Sequence, residues 1–188
     1  LRVVGNRSEL VELMQSGEVD VSVMGRAPKE IHTRSESFAA HPLVFVAPPG
    51  HPLLRGGAHA VGELAPYPII AREHGSGTRT AMENFFAAHR FEPRITMEMS
   101  SNETIKQAVM AGMGVSFLSL HTVGLELRSG LLQLLHVEGT PLIRGWHLVH
   151  LQSKVLSPAA EAFRYFVLER GAEHLQQHDQ GLLALAPA

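Results

Sequence analysis

Three short runs in this 188-residue chain put hydroxyls, amides and arginines where helices are expected to begin. The sharpest is Gly75–Ser76–Gly77–Thr78–Arg79. Its two glycines allow a tight turn, Ser76 and Thr78 add hydroxyls to the amides at a helix start, and Arg79 brings a positive charge. That is chemistry for holding an anion, not for breaking a bond. The plainer alternative is that Thr78 only caps the helix and Arg79 makes a structural ion pair. Ser101–Asn102, inside Ser100–Ser101–Asn102–Glu103, offers a second anion seat, and ordinary capping would account for it equally well. Asn6–Arg7, just after the first apolar run, offers a third. Gly25–Arg26 follows a strand end, where a structural role is expected.

Other chemistries find little support. The 12 histidines suggest a metal, yet His41, His51, His59 and His74 share no ligand spacing and no HExxH occurs. His174 and His178 are four apart on an exposed helix end, so no metal site is expected. No GxSxG elbow appears, and Glu73, Glu98 and Glu103 fit solvent faces or helix starts. No catalytic residue is expected, and no enzyme. GxxxxGK[ST] and GxGxxG are both missing, which argues against a nucleotide hydrolase or a dinucleotide fingerprint. A net charge of −2 gives no argument for a nucleic-acid surface in this segment. Cysteine is absent, so disulfides and thiolate chemistry are excluded. No run of about 20 apolar residues occurs, so no helical membrane span is expected.

The elements that must position these runs follow from periodicity. Leu1–Val4 reads as a strand already in progress, which suggests a fragment of a longer protein. Leu10, Val11, Leu13 and Met14 share a helical face that stops at Gly17, and Val19, Val21 and Val23 alternate as a strand. Pro28–Ser37 looks polar and irregular. Leu43–Ala47 is a strong strand, Val61–Leu64 a short helical turn and Tyr67–Ala71 a strand. After Thr78 the period becomes helical, with Met82, Phe85 and Phe86 on the apolar face. Arg94–Leu118 then reads as strand, helix and strand, with Ser101 or Asn102 as cap and Gly112 and Gly114 as stop. A helix over His121–Arg128 and strands over Leu131–Val137 and Ile143–Leu151 follow. Pro158 opens a last helix reaching Leu168 or Leu175, with Ala162, Phe163, Phe166 and Val167 as its apolar face. The expected architecture is α/β with two Rossmann-like lobes. One lobe holds 1–40 plus 141–176 and the other 43–140, with strand-like crossovers near 38–43 and 138–144 and a flexible tail over 177–188.

In order, GNRSELVELMQSGEVDVSVMGR, HPLVFVAPPGHPL, IAREHGSGTR and SSNETIKQAVMAGMGVSFLS resemble the effector-binding domain of LysR-type transcriptional regulators. Within that family the runs are most similar to regulators of the RuBisCO operon, over nearly residues 1–170. The resemblance implies a type II periplasmic-binding-protein-like fold and a coinducer in the interlobe cleft. It also implies a DNA-binding winged helix-turn-helix domain upstream, a homodimer or tetramer of the full protein, and a cytoplasmic location. By position, the family's ligand-contacting elements match Ser76, Gly77 and Thr78, then Ser101 and Asn102, then Asn6 and Arg7. Arg79 joins them as a cation. Effectors in this subgroup are phosphorylated sugars or acids and nicotinamide cofactors, so the implied ligand is a phosphorylated metabolite or NADPH. The family's domain normally begins with one more strand and helix than are present here. A periplasmic solute-binding protein for a small anion, with the same fold, is the competing reading.

Overall fold

The computed structural model describes Arg2, Val4 and residues 6–182. The strand expected over Leu1–Val4 therefore falls partly outside the described residues. The chain divides into two compact units, one formed by 1–41 with 144–178 and the other by 42–143 with the segment from 179 on.

In the second unit, strand β2 (Thr33–Ala47) contributes its apolar end, pairing antiparallel with β5 (Val115–Ser119) and β6 (Gln133–Leu135). Strand β3 (Ile69–Arg72) runs parallel to both β5 and β4 (Ile95–Met99). Side chains alternate along β2, so Leu43, Phe45 and Ala47 enter one core and Val44 and Val46 another. Helix α2 (Gly77–Ala88) covers the first face with Ala81, Met82, Phe85 and Phe86. On the opposite face lie α3 (Asn102–Met110) and α4 (Leu120–Arg128) with Ile105, Val109, Leu120, Val123 and Leu127. Gly114 enters β5 so closely that a Cβ there would lie 2.4 Å from the Pro68 carbonyl oxygen, which accepts the Val115 N–H at 3.0 Å. Val61–Leu64 is a 3-10 turn, as its spacing predicts.

In the first unit, α1 (Arg7–Gln15) packs Met14 against Met24 of β1 (Ser22–Met24) and Val149 of β7 (Leu142–Leu151). Strands β1 and β7 are antiparallel, with Ser22 opposite Val149, and β7 lies beside β2. The His41 and Trp146 rings stack at 3.9 Å. Helix α5 (Pro158–Asp179) starts with proline, and Ser157 Oγ accepts the Ala160 N–H at 3.2 Å. Its Gly171 approaches Phe38 so closely that a Cβ would meet the ring at 2.7 Å.

Four expectations are corrected here. Pro28–Ser37 is not wholly irregular: β2 begins at Thr33, ten residues before the apolar run, because a partly exposed strand carries polar side chains and gives no hydrophobic signal. The strand over Leu131–Val137 shrinks to Gln133–Leu135, and that over Val19–Val23 to Ser22–Met24. The apolar face assigned to α5 is mostly outward. Phe163 and Phe166 are exposed, while Val167 and the paired Arg164 are buried. Arg164 holds Glu36 of β2 through two hydrogen bonds of 2.6 and 2.5 Å, and this pins the helix with the aromatic pair turned to solvent. The flexible tail expected over 177–188 lies outside the described residues from 183 on. Before that, α5 continues to Asp179 and Leu182 is buried against the α4 side of the second unit.

Candidate functional site

Parallel strands bring their carboxyl ends to the same edge of a sheet, and the helices that follow start there. Strands β3 and β4 are such a pair, with Arg72 opposite Met99. The turns leading into α2 and α3 are therefore neighbours, and the sequence-predicted groups Ser76, Gly77, Thr78, Arg79, Ser101 and Asn102 come together within the second unit. Gly75, at φ +89°, makes the turn between β3 and α2. Ser76 is the residue before the helix and is 2% exposed, and its side chain makes no capping bond. Its carbonyl instead accepts the Thr80 N–H at 3.1 Å and hydroxyl at 3.2 Å. At α3, by contrast, Ser101 Oγ accepts the Thr104 N–H at 3.4 Å, so capping is part of its role.

Arginine 72, which sequence reasoning passed over, joins the two turns. Its Nη1 donates to Asn102 Oδ1 at 2.6 Å, and its Nε and Nη2 donate to Glu73 at 2.8 and 3.0 Å. The signal was present in IIAR, a cation at the carboxyl end of an apolar strand. Arg79 is 7% exposed and bonded to the scaffold. It donates to Glu83 at 2.6 Å, to Glu98 at 3.1 Å and to the Arg72 carbonyl at 3.1 Å. Glu103, in the first turn of α3, is tied to Lys106 and Gln107, and those hydrogen bonds hold its carboxyl below the ordinary range.

The remaining predicted residues, Asn6 and Arg7, belong to the first unit. Asn6 Oδ1 accepts the Glu9 N–H at 3.0 Å and caps α1. Arg7 grips Glu30 through two nitrogens at 3.0 and 2.8 Å. The Arg7 hydrogen bonds, helped by backbone amides, draw the Glu30 carboxyl down to about 2.

Comparison with known proteins decides the family. The LysR substrate binding domain matches residues 3–172. The chain belongs to that family. A LysR-family domain of this kind senses an effector and is not a catalyst. The chain is 51% identical over 179 residues, 95% of its length and 56% of the relative's, to the HTH-type transcriptional regulator CfxR of Cupriavidus necator. It is 47% identical, over 90% of its length and 56% of the relative's, to the RuBisCO operon transcriptional regulator of Allochromatium vinosum. It thus spans about half the length of the curated relatives it matches. Among solved structures it is similar to the regulatory domain of Synechocystis PCC6803 CcmR in complex with 2-PG. That match has a TM-score of 0.83 and 35% identity over 87% of this chain and 79% of that one. The effector-binding domain of QuiR in complex with shikimate shares the fold at a TM-score of 0.79 and 21% identity, covering 90% of this chain and 79% of that one. These likenesses establish the type II periplasmic-binding-like α/β fold.

Within this LysR-family domain, no group of three or more His, Asp or Glu side chains among the described residues could hold a metal. No helix among them is long and apolar enough to cross a membrane. His174 and His178 meet edge to face at 5.2 Å on α5.

Proposed function

We propose that this LysR-family domain receives a small anionic effector at the paired helix starts of the second unit. Thr78, Ser76 and Gly77 contribute from α2, and Ser101 and Asn102 from α3. The observation that carries this reading is the Arg72–Asn102 bond at the shared strand edge, which sets two helix N-termini side by side with a cation between them. Helix starts offer amide hydrogens and positive dipole ends, so a carboxylate or phosphate is the matching chemistry. Arg79 supports the turn. Asn6 and Arg7 are proposed as a ligand-contacting edge of the first unit, taken by itself.

The effector is proposed to be a phosphorylated metabolite, with 2-PG as the first candidate because the CcmR domain was solved with it, and NADPH as the second. The full protein is proposed to be a cytoplasmic homo-oligomeric transcriptional regulator of carbon-fixation genes, reading promoter DNA through a helix-turn-helix domain outside this segment. Its relatives are helix-turn-helix regulators about twice as long, which supports that assignment. For the effector to switch transcription it must bind two states of the oligomer unequally, since a ligand with equal affinity for both shifts nothing. Calorimetric titration of the intact regulator with 2-PG and NADPH tests the reading. Saturable binding that is lost on altering Ser76–Thr78 supports it, and no heat from any anionic metabolite would remove it.

A further inference from the structure

The first unit holds a cavity of about 550 Å³ that has no part in the paired helix starts of the second unit. Its walls come from the start of β2, the end of β7, the connection that follows and the first two turns of α5. The Gln152 N–H donates to the His32 carbonyl at 3.1 Å and ties the two strands together at this point. Ser22 of β1 is opposite Val149 and Met24 opposite His147, so this end of β7 lies beside the amino end of β1. His150 follows Arg144 by six residues on β7, which is about 20 Å of extended strand. The cavity therefore stands at the far end of the sheet from the carboxyl end of β1.

Most charges on its walls are already paired. Arg164 donates to Glu36 at 2.6 and 2.5 Å and to Glu161 at 3.2 Å. Lys154 is held by Asp20 at 2.8 Å and by the carbonyls of Gly17 and Val19 at 3.1 and 3.3 Å. Arg34 is different. It is exposed and lines the cavity, and it makes no ion pair or side-chain hydrogen bond among the described residues. Glu36, on the same face of β2, is committed to Arg164. Thr33 and Gln152 line the same space, and their side chains are also unbonded among the described residues. His150 is only 8% exposed. Its Nδ1 donates to the Leu151 carbonyl at 3.0 Å, which leaves Nε2 with no protein partner among the described residues. A buried polar atom without a partner is unfavourable until something supplies one. Val155 and Leu156 add an apolar wall beside these groups.

We propose that this cavity binds a small organic carboxylate, with the carboxylate on Arg34 and the aliphatic body along Val155 and Leu156. A guanidinium fork meets a planar carboxylate through two parallel N–H bonds, and the cavity has the size of a small-molecule site. Thr33 and Gln152 offer further donors, and His150 Nε2 accepts from a hydroxyl on the ligand. The site lies wholly in the first unit and stands whether or not the helix starts of the second unit receive the effector.

The test is a calorimetric titration of the intact regulator at pH 7.5 and matched ionic strength with hexanoate, the uncharged hexanamide and the short acetate. Hexanoate is expected to bind saturably. Hexanamide, which lacks the charge, and acetate, which lacks the aliphatic body, are each expected to bind about tenfold more weakly or worse. Arg34→Gln is expected to weaken hexanoate binding by about tenfold or more, and Arg34→Lys by less, because the ammonium keeps the charge and loses the fork. Arg34 is exposed and unbonded, so its replacement leaves the fold intact, which a thermal melt checks. Thr78→Ala is expected to leave hexanoate affinity unchanged. The proposal is overturned by the absence of saturable hexanoate binding, by equal binding of hexanoate and hexanamide, or by unchanged affinity in folded Arg34→Gln. Loss of hexanoate binding in Thr78→Ala alone would place the carboxylate in the second unit and overturn it equally.

Discussion

Arginine is handled in opposite ways in the two units. In the second, Arg72 and Arg79 are buried and bound to Glu73, Glu83 and Glu98, so their charges stiffen the turns ahead of α2 and α3. In the first, Arg26 is exposed just past the end of β1, Arg144 donates to the Gly25 carbonyl, and Arg7 is held by Glu30. The contrast separates two ways to favour an anion. One uses charges locked into the scaffold to aim backbone amides, which costs little entropy on binding. The other keeps a guanidinium in water, where its attraction for an anion depends more on salt.

Breaking the scaffold of the second unit should have the largest effect. Gly114→Val places a Cβ at a site only 2.4 Å from the Pro68 oxygen. A loss of more than about 4 kcal/mol, or failure to fold, is expected from a clash with backbone that cannot move aside. A thermal melt within a few degrees of the parent would refute it. Next comes the buried ion pair of the first unit. Arg164→Ala strands the partly buried Glu36 and should cost roughly 2 kcal/mol by urea denaturation. No shift in midpoint would mean the pair is energetically idle.

A smaller and more selective effect is expected at Thr78. Thr78→Ala should weaken effector binding about tenfold while leaving stability within about 0.5 kcal/mol, because the side chain is outside the core. Unchanged affinity would remove Thr78 from the site. Acidification should give the smallest change. His51 and His147 have pKa values lowered by burial, with Arg144 adding to the shift at His147. The unfolded chain then binds more protons than the folded one just below the ordinary histidine pKa, so stability falls as pH drops from 7.5 to 5.5, by roughly 1 kcal/mol or less. Glu36, held below the usual carboxylate range chiefly by its bonds from Arg164, keeps its contribution in that window and loses it only at lower pH. A melting temperature that rises on mild acidification would contradict the histidine assignment.

Local chemistry was the most legible part of the chain. Ser101 caps α3 and Gly112–Gly114 end it because caps and tight turns involve residues a few positions apart. The polar half of β2 was hidden because its partner, β7, lies more than a hundred residues away and only one of its faces is shielded. The role of Arg72 was hidden for the same reason: Asn102 reaches it through the β3–β4 pairing, not through sequence spacing. On α5 hydrophobicity misled, since two phenylalanines face out while an arginine faces in. A residue's polarity predicts its burial only when no partner waits inside.

Gly171 has a bearing on when α5 can exist at all. The missing side chain that admits the Phe38 ring is also a break in helical propensity, worth roughly 1 kcal/mol against alanine. Most helical stability in proteins comes from tertiary packing and not from propensity. The order of α5 is therefore acquired from β2 and not brought to it. Amide exchange near Gly171 is expected to be the fastest in the middle of that helix.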